Sequence, residues 1–187
     1  VSPWRAAKDP QAKLPEADKL VRVKKGFDTF EFAGKDISGN MVKSSDEKFR
    51  GKVLAVLAGG SWCPNCLDEG RYYKQLYEKY RDQGFEVVSL CFEDKTFKES
   101  QPKIERCAKS IGAAYTFLYV APRGLEQRDS VLYAIEGQMA YPTSMILDRK
   151  GKIRRVETGF SGPGTGEHFV TFAKETEELV KLLLEER

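Results

Sequence analysis

Trp62-Cys63-Pro64-Asn65-Cys66, set between an apolar run at 52–58 and a long helical pattern, constrains this chain more than any other stretch. The run Lys52-Val53-Leu54-Ala55-Val56-Leu57-Ala58 suits a central strand covered on both faces. From Cys63 to about Gln83, Leu67, Tyr73, Leu76, Tyr77 and Tyr80 recur at helical spacing, and Gly84 supplies the stop. The motif therefore places two thiols at a helix start. Residues i and i+3 of a helix are surface neighbours, so their Cα atoms fall within the separation that an unstrained disulfide needs. Such a pair can open and close without rebuilding the backbone. Cys63, at the mouth, faces unpaired backbone N–H groups and the positive end of the helix dipole, which favour thiolate over thiol. Cys63 is thus the expected nucleophile and Cys66 the resolving thiol. Pro64 fits the first helical position, where its missing N–H would be unsatisfied anyway.

Around this motif the chain alternates strands and helices. Residues 1–25, rich in Lys, Ala, Pro and Asp without sustained periodicity, read as an arm or linker, and residues 26–187 as one domain. Strands are expected at 30–32 and 40–43 around the turn Asp36-Ile37-Ser38-Gly39, followed by a short helical turn at 45–49. Beyond the motif the pattern gives a strand at 85–92, a helix at about 101–110, a strand at 116–120 and a helix at about 128–135. Tyr141-Pro142-Thr143 then precedes a strand at 144–147, a turn at 148–151 and a strand at 152–156. A helix at 167–185 closes the chain with Phe169, Phe172, Leu179, Val180 and Leu183 facing inward. This order specifies an α/β sandwich with a mixed sheet.

Charge and cysteine usage narrow the function classes. The 31 Lys and Arg against 28 Asp and Glu leave +3, interspersed in sign, which argues against nucleic acid as a partner. No stretch approaches the roughly 18 consecutive apolar residues of a spanning helix, so a soluble chain is expected. The chain starts at Val1 without an apolar signal core, so any targeting segment is expected to lie outside it. Four cysteines are too few for a disulfide scaffold, and a single histidine removes most zinc, copper and Cys/His hydrolase readings. The pair itself still admits a static disulfide or half of a zinc site, but Cys91, Cys107 and His168 offer no second ligand pair. Bridged, Cys91 and Cys107 would close a loop of about 17 residues, worth ~3 kcal/mol; the favoured reading is two free thiols acting as small apolar residues. Gly162-Pro163-Gly164 lacks the Lys-Ser/Thr ending of a phosphate loop and reads as a flexible loop. His168 is expected at the surface or as a cap.

The sequence resembles the thioredoxin superfamily, and within it the TlpA/ResA-like extracytoplasmic thiol:disulfide oxidoreductases. The resemblance runs from about Phe30 to the end and rests on four features in order: Asp36-Ile37-Ser38-Gly39-Asn40, Trp62-Cys63-Pro64-Asn65-Cys66, Tyr141-Pro142-Thr143, and Asp148-Arg149-Lys150-Gly151-Lys152-Ile153. It implies a thioredoxin fold, a three-layer α/β/α sandwich with an N-terminal β-hairpin and a helix-strand unit inserted at 93–122. It further implies a cis Tyr141–Pro142 bond against the cysteine pair, exposing the Tyr141 backbone to an extended client. Glu69, three residues beyond Cys66, takes the place of the Asp that ordinary thioredoxins bury in the preceding strand, where this chain has Leu57. A partly buried Glu69 would have a raised pKa and accept the Cys66 proton. Trp62 is expected beside Cys63 as part of the docking surface, and Pro64-Asn65 as the dipeptide that tunes reduction potential.

The implied activity is thiol–disulfide exchange with protein disulfides, as reductant, with electrons carried by the cysteines and neither cofactor nor bound metal. The implied clients are apocytochrome c or other exported proteins, and a membrane-embedded reductant recharges the pair. Two readings compete with this one. A peroxiredoxin-like peroxidase would need a Thr three residues before its attacking Cys, where this chain has Gly60. A non-catalytic binding domain would not need Cys63, Cys66, Glu69 and Pro142 together.

Overall fold

In a computed structural model of the chain, residues 20–186 are described. The elements run β1 (Val21–Val23), β2 (Ala33–Lys35), β3 (Met41–Lys43), β4 (Val53–Gly59), α1 (Pro64–Tyr80), β5 (Phe85–Glu93) and α2 (Phe97–Ile111). Then come β6 (Thr116–Pro122), α3 (Leu125–Val131), β7 (Ile135–Gly137), β8 (Thr143–Leu147), β9 (Ile153–Thr158) and α4 (Glu167–Glu185). Seven strands make one mixed sheet in the order β3-β2-β6-β5-β4-β8-β9, and β1 pairs with β7 in a separate two-stranded sheet. The strands β4, β5 and β6 are parallel neighbours, while β8 and β9 return antiparallel.

Strand β4 is central because its residues are apolar without interruption, and the period of two sorts them to opposite faces. Leu54, Val56 and Ala58 pack with Phe30, Phe32, Phe49 and Leu132 on one side. Val53, Ala55 and Leu57 pack on the other, against Tyr73 and Leu76 of α1, Ile104 of α2, and Val180 and Leu183 of α4. Sandwiched between these layers, β4 delivers its carboxyl end, and hence the cysteine motif, to one rim of the sheet. Helix α1 passes into a single 3₁₀ turn at Arg81–Gln83 and stops at Gly84, whose φ of +96° only glycine adopts without strain.

Several elements differ from expectation. Of the arm read at 1–25, residues 1–19 lie outside the described residues, but Val21–Val23 belongs to the folded unit as β1, paired with Ile135–Gly137. Val21 is buried in the core under β7, so packing starts some residues before 26. The helix expected at about 128–135 runs Leu125–Val131 instead, and Ile135, expected as its last residue, starts β7 to make that pairing. Phe30 and Phe32 point into the core, yet the ladder with β3 forms only at Ala33–Lys35, because the Phe30 N–H bonds to Gly151 O and the Phe32 N–H to the Ser44 hydroxyl. Residues 45–49 form turns closed by Asp46 rather than a helix. Helix α2 begins at Phe97, ahead of Pro102, with Thr96 donating to Glu99 across the first turn. That Thr-x-x-Glu spacing is a helix-start signal. Among the described residues no helix is long and apolar enough to cross a membrane.

Candidate active site

Where β4 ends, Gly59 and Gly60 let the chain turn inside a space that no side chain would fit. A Cβ on Gly59 would lie 2.7 Å from Cys66 Sγ, and one on Gly60 would lie 2.5 Å from Phe92 O. Cys63 then caps α1, in extended conformation, with Pro64 at the first helical position. Cys63 and Cys66 are joined as a disulfide with Cα atoms 5.3 Å apart, within the ordinary range for the bond. The Cys66 N–H donates to Cys63 Sγ at 3.3 Å, so the helix amino end is directed at the first sulfur. Exposure runs opposite to the sequence expectation: Cys63, read as lying at the mouth, is 5 % exposed, and Cys66 is half-buried. Trp62 and Tyr141 pack beside Cys63, whereas Cys66 lines a small cavity with Cys107 and Ile111 of α2.

These neighbours of Cys63 are held by identifiable bonds. The Trp62 indole N–H donates to Phe92 O at 2.8 Å, and its ring meets Tyr141 edge-on with centroids 5.5 Å apart. The Arg123 guanidinium stacks 4.2 Å from the Trp62 ring and pairs with Asp94 at 2.9 Å. The Tyr141–Pro142 peptide is cis, and the Tyr141 carbonyl oxygen lies 3.9 Å from Cys63 Sγ. Residues 140–143 are tied down from both sides: the Thr143 hydroxyl donates to Ala140 O, the Ala140 N–H to the Thr158 hydroxyl, and the Gly159 N–H to Pro142 O. Burial pushes the Tyr141 phenol up to about 12, and its hydroxyl has no hydrogen-bond partner. Pro64 and Asn65 are exposed beside the disulfide.

Behind the disulfide, Glu69 is buried at 1 % exposure with Oε1 lacking any hydrogen-bond partner. Burial raises its pKa to about 8, the nearby Ser144 hydroxyl opposes the rise, and the Glu157 carboxylate adds to it. Glu69, Cys66, Cys91 and Cys107 share a cavity of about 20 Å³, room for about one water molecule. Cys91 and Cys107 are free. Burial pushes the Cys91 thiol far above its usual range and the Cys107 thiol up to about 11. Among the described residues no group of three or more His, Cys, Asp or Glu is arranged to hold a metal ion. His168 is exposed in the first turn of α4, away from these groups.

The sequence reading missed Glu93. At the end of β5 it is buried at 1 % exposure and accepts both the Ser61 N–H and the Ser61 hydroxyl at 2.7 Å, fixing the turn that presents Trp62 and Cys63. A carboxylate at a strand end reads as solvated unless its partner is known. The glycines before Trp62 were a legible signal, since only a close backbone approach calls for two in succession.

A mixed sheet with a disulfide at the strand-to-helix turn, faced by a cis-proline loop, defines the thioredoxin fold and its dithiol class. The chain belongs to the Redoxin family, whose sequence model matches residues 22–170. It is 28% identical over 129 residues to thiol-disulfide oxidoreductase ResA of Geobacillus thermodenitrificans, covering 69% of this chain and 66% of that protein. ResA of Bacillus subtilis is 28% identical over 137 residues, covering 73% and 69%. A crystal structure named as thiol:disulfide interchange protein DsbE of Chlorobium tepidum superposes with a TM-score of 0.62 at 28% identity, over 86% of this chain and 99% of that one. The chain thus spans about two thirds of the length of the ResA proteins it matches.

Proposed function

We propose that this protein is a thiol:disulfide oxidoreductase that exchanges electrons with protein disulfides through Cys63 and Cys66. The observation that carries the reading is the Cys63–Cys66 bond at the amino end of α1, with the Tyr141 backbone 3.9 Å from the first sulfur. In the reducing direction, the Cys63 thiolate attacks one sulfur of a client disulfide. That bond breaks, the other client sulfur leaves as a thiolate and is protonated, and a mixed disulfide remains. Cys66 then gives its proton to the Glu69 carboxylate and attacks Cys63 Sγ, releasing the client's second thiolate. Two electrons pass to the client and the Cys63–Cys66 bond is restored. A carboxyl raised to about 8 is ionised in only about a tenth of molecules at pH 7, so the resolving step is expected to quicken as pH rises toward 8.

The exposed Pro64 and the ring of Trp62 form the surface onto which the client docks, and the Tyr141-Pro142 backbone pairs with it as an extended strand. Resemblance to ResA and DsbE proteins supports an extracytoplasmic location, reduction as the direction, and apocytochrome c or other exported proteins as clients. A membrane-embedded dithiol would recharge the pair. Insulin reduction coupled to dithiothreitol, run beside hydrogen peroxide consumption by the reduced protein, tests the reading. Insulin precipitation that needs both cysteines, without peroxide turnover, is expected. Peroxide turnover without insulin reduction would assign a thiol peroxidase instead.

A further inference from the structure

On the side of Trp62 away from the Tyr141 loop, a surface groove of about 360 Å³ runs between α1 and α2, lined by Trp62, Leu67, Lys103, Arg106, Cys107 and Ser110 among others. Two of its lining residues, Trp62 and Leu67, flank the disulfide cysteines in the chain. Its walls combine an indole face and an aliphatic side chain with two exposed cations. The neighbouring acids are already engaged: Asp68 with Arg71 at 2.7 Å, Glu105 with Lys109 at 2.8 Å, and Asp94 with Arg123 at 2.9 Å. Glu99, one turn before Lys103, accepts from the Thr96 hydroxyl at 2.7 Å and attracts Lys103 at longer range without forming an ion pair with it. Among the described residues, Lys103 and Arg106 have no ion-pair partner.

We infer that this groove binds the segment of the client next to its reactive cysteine and selects an acidic side chain there. The inference rests on the thiol–disulfide reading and adds a substrate class to it. Charge complementarity names the occupant: an extended peptide whose apolar residues lie on Trp62 and Leu67 and whose carboxylate meets Lys103 and Arg106. Cys66 lies behind this wall, in the small cavity that it shares with Cys107. Selection by rim charges acts on encounter and orientation, and so on kcat/KM and its salt dependence more than on the chemical step.

The test uses two disulfide-linked peptides of equal length, one with aspartates and one with lysines flanking the cysteine. The wild-type protein is expected to favour the aspartate peptide by about tenfold in kcat/KM at low salt, with the ratio falling toward one as salt rises. In K103E/R106E, both positions being exposed, the preference is expected to invert. Wild-type activity on both peptides at equal kcat/KM, or a double variant that keeps the aspartate preference, would overturn the groove assignment and leave the oxidoreductase reading standing. No wild-type activity on either peptide would overturn both.

Discussion

Replacing Glu69 by Gln separates what this carboxyl does for folding from what it does for catalysis. The folded group titrates near 8 against an ordinary value of 4.5. Between those values the folded chain holds a proton that the unfolded chain has lost, so stability falls as pH rises across that window and levels off above about 8. Each pH unit inside the window removes ~1.4 kcal/mol, which by pH 7 sums to about 3 kcal/mol. Glutamine carries no charge at any pH and lacks this loss. Its amide meets the site where Oε1 has no partner, which adds an offset of about 1–3 kcal/mol that does not depend on pH. Urea unfolding of both oxidised proteins from pH 5 to 9 is therefore expected to show the variant gaining on wild type by ~1.4 kcal/mol per pH unit up to about pH 8. In the reduced protein the same change removes the proton acceptor for Cys66, and turnover of mixed disulfide should slow about a hundredfold near neutral pH. A stability difference that stays flat from pH 5 to 8 would refute the buried, proton-holding Glu69 and with it the assigned base.

Gly60→Ala would drive a Cβ against Phe92 O and displace the Trp62 indole from the same carbonyl, so insulin reduction is expected to fall at least about tenfold. Gly164→Ala, with open space around its Cβ, should stay within about twofold and serves as the comparison. Glu93→Ala leaves the Ser61 N–H and hydroxyl without their acceptor and is expected to cost about 1–3 kcal/mol in urea unfolding. A loss below about 0.5 kcal/mol would mean water replaces both bonds.

The fold was legible where one residue pattern had one solution. The unbroken apolar β4 could only be a central strand, and the spacing of the closing helix matched its observed bounds. What was misread depended on partners distant in sequence. Val21–Val23 looks like part of a polar arm until Ile135–Gly137 is seen to pair with it. Phe30 and Phe32 have strand-like alternation, yet their backbone bonds go to a turn and a serine hydroxyl. The start of α2 was hidden by Pro102, although Thr96 and Glu99 marked it. At the site, the cysteine motif, Glu69 and Tyr141-Pro142 were visible because their spacing is local or family-specific. Glu93 was not, because its bond to Ser61 spans 32 residues. The exposure order of Cys63 and Cys66 depends on how Trp62 and Tyr141 pack beside the motif, which helix periodicity does not encode.

The most direct test of the account is which sulfur takes the client. Cys66→Ala and Cys63→Ala proteins, each reduced and offered the same disulfide-linked peptide at neutral pH, are resolved by mass spectrometry into mixed-disulfide adducts over time. The account predicts a fast, stable adduct on Cys63 in Cys66→Ala and little in Cys63→Ala, because the helix amino end favours the Cys63 thiolate although that residue is the more covered of the two. Adducts that form first on Cys66, following exposure alone, would contradict it.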